Sequence, residues 1–385
     1  MGSKEKILIY NRSLFLVSQT FMYQQVLSLA DRYDVHLVAK EFENPHGFDV
    51  DAFEQLKLEK INGVIDKIAG KLIRVYFDTA LNINVQSFRK LRQLLKSGQC
   101  KAIHAHFGPQ ALEMLGIAKK FNVPLVVTFH GYDASQMLRN RSYVKKLPEL
   151  FDYASAIIIV SGHMMETLNL EKWKEKVHVI PCSVDPDQFN FNGKANYSGT
   201  IKILHAGRIV GKKGVPDLIK VFQNLTKKYD NIVLYVAGDG DELSQCQELV
   251  TDLKLENKVI FYGRVSHREI QRLMKESDII VLNSRTDDKG DMEGTPVTIL
   301  EAMSMGKAVV STKHAGIPYV IKHEVNGLLA EENSNVELET CLETLIENPK
   351  LRESLGKKAV ESIHKSFSNN VMQEKILKVF GSLLN

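Results

Sequence analysis

A loop of glycines and cations, residues 207–214, follows the apolar run of residues 201–206. Glycines such as Gly207 allow the backbone to come close to a ligand, while Arg208 offers a planar set of donors and Lys213 a compact charge. A helix predicted to open near residue 216 adds backbone amides at its N-terminus. Together these features predict a site for an anion, best a diphosphate. A basic turn without a ligand is the alternative, and the residue order is neither that of a P-loop nor that of a dinucleotide-binding GxGxxG turn.

Two carboxylates, Glu293 and Glu301, bracket a Gly/Pro-containing loop and the start of a predicted helix. Pro296 suits the first turn of a helix, so the amides around it would point outward and hold a phosphate. Glu293 would accept hydrogen bonds from sugar hydroxyls and Glu301 from a ribose, each bond contributing roughly 1.5–3 kcal/mol. The other candidate ligand-binding residues of this loop are Gly294, Thr295 and Val297. A capped surface helix with acidic ends is the alternative.

Histidines cluster at the ends of two predicted strands in the first half of the chain. His130 directly follows the apolar run 125–129 and precedes a glycine, where a doubly wound sheet places functional groups. A lone histidine is usually structural, so this prediction depends on the position alone. We expect His104 and His106 to face opposite sides of their strand, so that at most one reaches the site; we favour His106, as a weak candidate. The chain has no HExxH motif and no Cys/His cluster, so we predict no metal.

Two further glycine turns follow predicted strands in the second half, at Gly238 and at residues 263–265. We expect Gly238 to line one end of the site. Arg264 and Val265 would present backbone to a nucleobase. Ordinary turn glycines are the alternative at both places.

These residues must be positioned by a regular alternation of short β-branched runs and longer amphipathic segments, which occurs twice. Strands are predicted at residues 6–10, 35–39, 102–106, 125–129, 156–160 and 177–180, and then at 201–206, 232–237, 259–262, 279–282 and 308–311. Apolar strands separated by helices form parallel sheets that are covered on both faces. The pattern therefore predicts an α/β protein of two Rossmann-like βαβ domains, separated near residues 181–196, with its site in the cleft between them.

The ordered set His130, Gly207-Arg208, Lys213-Gly214 and Glu293-x7-Glu301 resembles the retaining glycosyltransferases of family 4, which have the GT-B fold. Residues 179–185 (VIPCSVD) resemble the family's "IPNGVD", residues 301–310 its "EAMAxGxPVV", and residues 326–329 its "NGLL". Residues 104–108 (HAHFG) and 128–133 (TFHGYD) resemble the exopolysaccharide branch, including colanic-acid-type enzymes. The resemblance spans nearly the whole chain.

The resemblance implies a division of labour between two domains facing across a deep cleft. Residues 1–185 plus 368–385 would bind the acceptor, with the last helix crossing back to this domain, and residues 186–367 would bind a sugar nucleotide. Arg208 and Lys213 would neutralise its diphosphate. Glu293 would hold the donor sugar, Glu301 the ribose, and His130 would contact the sugar beside the reacting carbon.

Two departures from the family pattern concern donor binding. The Gly-Gly loop after the first strand is replaced by residues 11–21, which contain no glycine, so Ser18 and Thr20 are weak candidates for phosphate contacts. The family's "GGxxE" appears as residues 315–319, AGIPY, without the glutamate.

The predicted reaction moves a sugar from a UDP- or GDP-sugar to a hydroxyl of a glycan acceptor, with retained anomeric configuration and without metal or cofactor. The predicted acceptor is a lipid-linked oligosaccharide of cell-surface or exopolysaccharide biosynthesis. Two alternatives stay open: a sugar-nucleotide epimerase of the same fold, and a catalytically inactive sugar-nucleotide-binding subunit. A dehydrogenase is the weakest reading, because no GxGxxG with a downstream acidic residue is present.

The composition of the 385 residues, 44% hydrophobic and 25% charged, is that of a globular protein. Four scattered cysteines without a CxxC pair fit a reducing cytoplasm. Residues 1–185 carry 24 Lys and Arg against 19 Asp and Glu, whereas the rest carry 26 against 27. Solvated helix faces are the ordinary explanation of this excess, and an anionic membrane or acceptor is the alternative. We expect a cytoplasmic protein, peripheral at the inner face of the cell membrane, without a nucleic-acid partner.

Overall fold

The structure is a computed structural model, and it describes residues 4–15, 20–44, 47–96, 100–190 and 199–384. The chain divides into two compact units: unit 1 is Met1–Ile180 with Met372–Asn385, and unit 2 is Pro181–Val371. The boundaries predicted from the sequence, 185/186 and 367/368, differ from these by a few residues. Part of the predicted linker, residues 191–196, lies outside the described residues.

Unit 1 is built on a parallel sheet of seven strands. Its strands in chain order are β1 (Lys6–Tyr10), β2 (Ser13–Leu14), β3 (Asp34–Ala39), β4 (Glu41–Phe42), β5 (Glu54–Lys57), β6 (Cys100–His106), β7 (Leu125–Phe129), β8 (Ala156–Ile159) and β9 (Val177–Val179). The sheet order is β5-β3-β1-β6-β7-β8-β9, and β2 pairs with β4 apart from it. Its helices are α1 (Thr20–Ala30), α2 (Gly63–Phe77), α3 (Val85–Lys96), α4 (Gly108–Phe121), α5 (Arg141–Tyr153) and α6 (Met164–Thr167).

Unit 2 repeats this plan on a parallel sheet of six strands, in the order β12-β11-β10-β13-β14-β15. The strands are β10 (Ile201–Ala206), β11 (Ile232–Ala237), β12 (Val259–Gly263), β13 (Ile279–Val281), β14 (Ala308–Thr312) and β15 (Leu328–Ala330). The helices are α7 (Val215–Thr226), α8 (Leu243–Asp252), α9 (His267–Glu276), α10 (Val297–Ser304), α11 (Ile317–Val320), α12 (Asn335–Glu347) and α13 (Pro349–Ser366). The last helix, α14 (Asn369–Leu384), lies mostly in unit 1.

Every predicted strand is present, and its bounds agree within one or two residues. Four described strands were not predicted: β2, β4, β5 and β15. The first two have only two residues each, and β5 reads EQLK at the sheet edge. A polar edge strand lacks the apolar run that signals a buried strand.

Burial follows the predicted two-faced pattern. The central strands β11 and β14 are buried along their whole length, and Phe222, Leu234 and Leu342 belong to one apolar cluster of unit 2. In unit 1, α14 closes the core, because Phe380 is fully buried beside the rings of Tyr33 and His104. None of the described helices is long and apolar enough to cross a membrane.

Helix α13 approaches the turn after α10 so closely that it excludes a side chain. A Cβ on Gly356 would lie 2.0 Å from the carbonyl oxygen of Gly306. Glycine at 356 therefore allows α13 to support the helix that carries Glu301.

We predict that Gly356→Ala lowers the free energy of unfolding by about 1–3 kcal/mol, because the added methyl group forces two backbones apart. Urea denaturation followed by circular dichroism measures this change. Gly381→Ala in α14 is the matched control, since nothing lies within 4 Å of its Cβ position. Equal stability of the two variants would contradict the proposed contact.

Candidate functional site

Three turns at the carboxyl ends of β10, β11 and β12 are tied together by backbone hydrogen bonds. The Gly207 N–H donates to the Ala237 carbonyl (2.9 Å), and the Gly238 N–H donates to the Gly263 carbonyl (2.9 Å). A Cβ on Gly238 would lie 1.8 Å from the Gly207 carbonyl oxygen. Glycine at 238 is thus needed for close packing of two turns. Its predicted contact with a ligand stays a prediction.

The cations of the 207–214 loop differ in their surroundings. Arg208 is exposed, and it has no hydrogen bond or ion pair with the described part of the chain. Lys213 is buried, with its Nζ 2.6 Å from Oε1 of Glu293. Lys212 is also buried, with its Nζ 2.9 Å from Oδ2 of Asp291. The second pair was not predicted, although the adjacent lysines at 212–213 and the acidic pattern Asp-Met-Glu at 291–293 were the available signals.

Glu293 is buried and ionised. Burial by itself raises the pKa of this carboxyl group, but Lys213 and Lys212 outweigh that effect and lower the pKa to about 2. Its backbone N–H donates to Nε2 of His314 (3.1 Å), whose Nδ1 donates to Oε2 of Glu332 (2.9 Å). The structure therefore brings together Lys213 and Glu293, as the prediction of a common site required, and bonds them to each other.

The second carboxylate lies on α10. Glu301 is buried, and its Oε1 is 3.0 Å from Nε2 of His267, the first residue of α9. The sequence analysis missed His267. The prediction that Pro296 lies in the first helical turn was wrong by one position: Pro296 precedes the helix with ψ 113°, and its carbonyl accepts the Ile299 N–H at 3.1 Å.

The remaining predicted residues of unit 2 flank these groups in the chain. Gly294 and Thr295 are buried beside Glu293, and Val297 is the first residue of α10. Arg264 is exposed and Val265 half-buried in the turn after β12. All of these positions are at carboxyl ends of parallel strands or in the loop that leads into α10.

In unit 1, a buried aspartate joins the ends of two strands. Oδ1 of Asp133 accepts the N–H groups of His130 (2.9 Å) and Gly131 (3.2 Å), and Oδ2 accepts the N–H of Gly108 (2.8 Å). The turns after β6 and β7 are thereby fixed to one side chain. An aspartate three residues after His130 in a glycine turn was the sequence signal, and the analysis did not assign it a role.

The histidines form one cluster on one side of the sheet. The rings of His104 and His106 lie 4.3 Å apart, so the prediction of opposite faces was wrong: residues two apart on a strand share a face. Nδ1 of His106 is 3.1 Å from Nε2 of His130. The Phe107 and Phe21 rings lie 4.5 and 4.7 Å from the His130 ring. His106, a weak candidate, thus contacts His130 directly.

A cavity of about 320 Å³ opens beside this cluster in unit 1. It is lined by Asn11, Arg12, Ser13, Phe107, Pro109, Gln110, Tyr132 and Met137. The buried carboxylate of Glu113 accepts hydrogen bonds from Nε of Arg12 (3.2 Å) and Nζ of Lys40 (3.0 Å). Of these three charged residues, Arg12 lines the cavity. Phe107 and Tyr132 belong to the motifs at residues 104–108 and 128–133, but no lining residue was predicted as a site residue. Ser18 lies outside the described residues, and of Thr20 only its place at the start of α1 is described.

Two family models match consecutive parts of the chain: "Glycosyltransferase Family 4" matches residues 18–188, and "Glycosyl transferases group 1" matches residues 187–362. The chain belongs to glycosyltransferase family 4.

Relatives and solved structures agree with this assignment. WcaL of Escherichia coli, named for colanic acid biosynthesis, is 24% identical over 96% of this chain and 97% of its own. AmsK of Erwinia amylovora, named for amylovoran biosynthesis, is 33% identical over 54% of this chain, which spans about half (51%) of AmsK. The crystal structure of HepE from Anabaena with UDP and glucose has a TM-score of 0.80 at 18% identity, covering 98% of this chain and all (100%) of HepE. The fold of this glycosyltransferase is GT-B, as predicted.

The cluster of His104, His106 and His130 is electrically neutral. Burial lowers the pKa of His104 and of His130 to about 3, and it lowers the pKa of His106 well below its usual range. Because the His106 and His130 rings are both neutral, one of them donates the hydrogen bond between them and the other accepts it. The second nitrogen of each, Nε2 of His106 and Nδ1 of His130, has no partner among the described residues.

We predict that unit 1 loses stability as the pH falls from 6.5 towards 4. The folded state binds fewer protons than the unfolded state in this window, so each neutral histidine contributes a slope of up to about 1.4 kcal/mol per pH unit. Trp173 is the chain's single tryptophan and lies in unit 1, so its fluorescence in urea reports this unit. His104→Gln should flatten the slope, and an unchanged slope would contradict the assignment.

Proposed function

We propose that this chain transfers a sugar from a UDP- or GDP-sugar to a hydroxyl of a glycan acceptor, with retained configuration and without a metal ion. The observation that carries the proposal is the arrangement around Lys213 and Glu293. A buried ammonium, a buried carboxylate and the guanidinium of Arg208, which is unpaired among the described residues, belong to adjoining strand-end loops of unit 2. HepE from Anabaena was solved with UDP and glucose, so UDP is the first nucleotide to test.

The charges suit a leaving diphosphate. Arg208 is free to pair with one phosphate, whereas Lys213 keeps a fixed position because Glu293 holds it at 2.6 Å. The loop before α10 adds backbone amides at a helix N-terminus. Preorganised donors of this kind stabilise charge that develops in the transition state, commonly the largest catalytic contribution. Two cations at the diphosphate supply the charge that a metal would otherwise bring.

A same-face displacement is the mechanism that we propose. A covalent sugar intermediate would need a free carboxylate near His130, and the nearest along the chain, Asp133, is buried with both oxygens accepting backbone N–H groups. The leaving diphosphate would instead take the proton of the attacking hydroxyl as the new glycosidic bond forms. His130, neutral through its lowered pKa, would contact the donor sugar beside the reacting carbon.

The unit 1 cavity suits the acceptor. Gln110 offers a half-buried amide whose Nε2 donates to Oδ1 of the buried Asn11 (3.0 Å). Tyr132 offers a 45% exposed aromatic ring, and Arg12 offers a partly free guanidinium. Amides for hydroxyls and a ring for the apolar face of a sugar are the usual components of glycan binding. The names of WcaL and AmsK support an acceptor from exopolysaccharide biosynthesis, and we propose a lipid-linked oligosaccharide met at the inner face of the cell membrane.

Two other functions would use the same donor site. A sugar-nucleotide epimerase would convert the donor without any acceptor, and an inactive subunit would bind the nucleotide without turnover. Product analysis with and without a glycan acceptor separates all three.

We predict that UDP or GDP binds in calorimetry without added metal, and that Arg208→Ala lowers kcat by about 10²–10³. Arg208 is the cleaner target because Lys213→Ala would also leave the buried Glu293 unpaired. Arg268→Ala, an exposed residue of α9, is the matched control. If neither UDP nor GDP bound, the donor site would be refuted.

For the acceptor site, we predict that Gln110→Ala raises the KM for the glycan by about tenfold while nucleotide affinity stays unchanged, because an amide hydrogen bond of about 1 kcal/mol or more is lost. Initial rates at varied acceptor, together with calorimetric nucleotide titration, measure both quantities. If the substitution changed nucleotide affinity alone, the cavity would be assigned to the donor and not to the acceptor.

A further inference from the structure

Helix α2 exposes an apolar stripe. Val64, Ile68, Leu72, Val75 and Tyr76 are 72%, 62%, 66%, 73% and 65% exposed. At 3.6 residues per turn these positions share one arc of about 120° on the helix. The opposite side faces the protein, where a Cβ on Gly70 would meet the Ile61 side chain at 2.5 Å. Solvated surface helices normally show the reverse polarity, with apolar residues inward.

Positive charge borders this stripe on both sides. Lys67 and Lys71 are exposed on the arc that adjoins Val64. On the other border, Nζ of Lys120 lies 4.7 Å from the centre of the Tyr76 ring. Asp66 is the one acidic residue within α2, and its Oδ1 accepts the Val85 N–H at 3.2 Å, so it faces α3.

We propose that α2 is the element by which this protein docks on an anionic lipid surface, with the apolar stripe in the headgroup region and the lysines against lipid phosphates. Charge complementarity decides between occupants. A second copy of the chain would bring the same lysines against themselves, whereas an anionic bilayer supplies both an apolar phase and negative charge. The surface is made of unit 1 residues alone, and the docking does not depend on the proposed reaction. The lipid-linked acceptor rests on the proposed function; if that acceptor is the substrate, docking would bring the enzyme to the membrane that holds it.

The test is sedimentation of the full chain with vesicles of equal parts phosphatidylcholine and phosphatidylglycerol, compared with pure phosphatidylcholine. We expect binding to the anionic vesicles that weakens as salt is raised. Ile68→Ser/Leu72→Ser should weaken it by about tenfold or more, because two apolar side chains no longer enter the lipid. Lys67→Gln/Lys71→Gln should weaken it several-fold and reduce its salt dependence.

Matched controls alter the same chemistry elsewhere. Val325→Ser/Val336→Ser removes apolar side chains that are 55% and 77% exposed in unit 2, and Lys357→Gln/Lys358→Gln removes two exposed charges there. Both should bind vesicles like the wild type. Binding by Ile68→Ser/Leu72→Ser equal to that of the wild type would overturn the proposal.

Two further readouts keep this inference separate from the others. Analytical ultracentrifugation of the wild type that shows a dimer, dissociated by Ile68→Ser/Leu72→Ser, would assign the stripe to a second copy and overturn lipid docking. Calorimetric nucleotide binding, measured on the same variants, should not change. Vesicle binding without any sugar transfer would sustain the docking surface while refuting the proposed function.

Discussion

The strand-end loops of unit 2 depend on two ion pairs, buried Lys213 with buried Glu293 and buried Lys212 with half-buried Asp291. Transferring a charge from water to a protein interior costs several kcal/mol, so neither partner of a pair is stable there alone. The lysines belong to the loop after β10 and the acids to the loop before α10, and the two loops are some eighty residues apart in the sequence. The parallel sheet makes the pairs feasible, because β10 and β13 are neighbours and their carboxyl ends open at one edge. Pairing then fixes both loops against each other.

In unit 1, hydrogen bonds fix the strand-end turns to each other. Its strand-end turns carry backbone N–H groups in a buried setting, and each must find an acceptor. Asp133 satisfies three of them from two turns, and Tyr143 in α5 donates to its backbone carbonyl at 2.9 Å. The neutral histidines therefore lie on a rigid support. Acidic side chains that contact two loops, Asp133 in unit 1 and Glu293 and Asp291 in unit 2, thus set the geometry of the candidate site residues.

The sequence predicted the sheets, the strand bounds and the places of Lys213, Glu293, Glu301 and His130, because these follow from local periodicity and from positions after strands. It did not reveal partners. The bond between His267 and Glu301 depends on how α9 lies beside α10. The turn after β12 has no periodicity from which that packing could be predicted. The cavity wall of Arg12, Gln110 and Tyr132 joins three separate segments, so no spacing rule reaches it. The error about His104 and His106 was of another kind, since a period of two already places them on one face.

The prior occupation of Lys213 bears on catalysis. A lysine free in solvent would have to lose its rotamer entropy when a diphosphate arrives, whereas Lys213 is already held by Glu293. A carboxylate has about four lone-pair sites, so Glu293 can hold Lys213 and still accept a donor hydroxyl. In the proposed reaction, the pair would thus link recognition of the sugar to the position of the cation at the leaving group. Arg208, exposed and unpaired among the described residues, would supply the mobile charge that such a fixed arrangement lacks. In the proposed reaction, Lys213 would be the preorganised cation at the leaving group, the kind of fixed charge that stabilises a transition state, while Arg208 would adjust to the ligand.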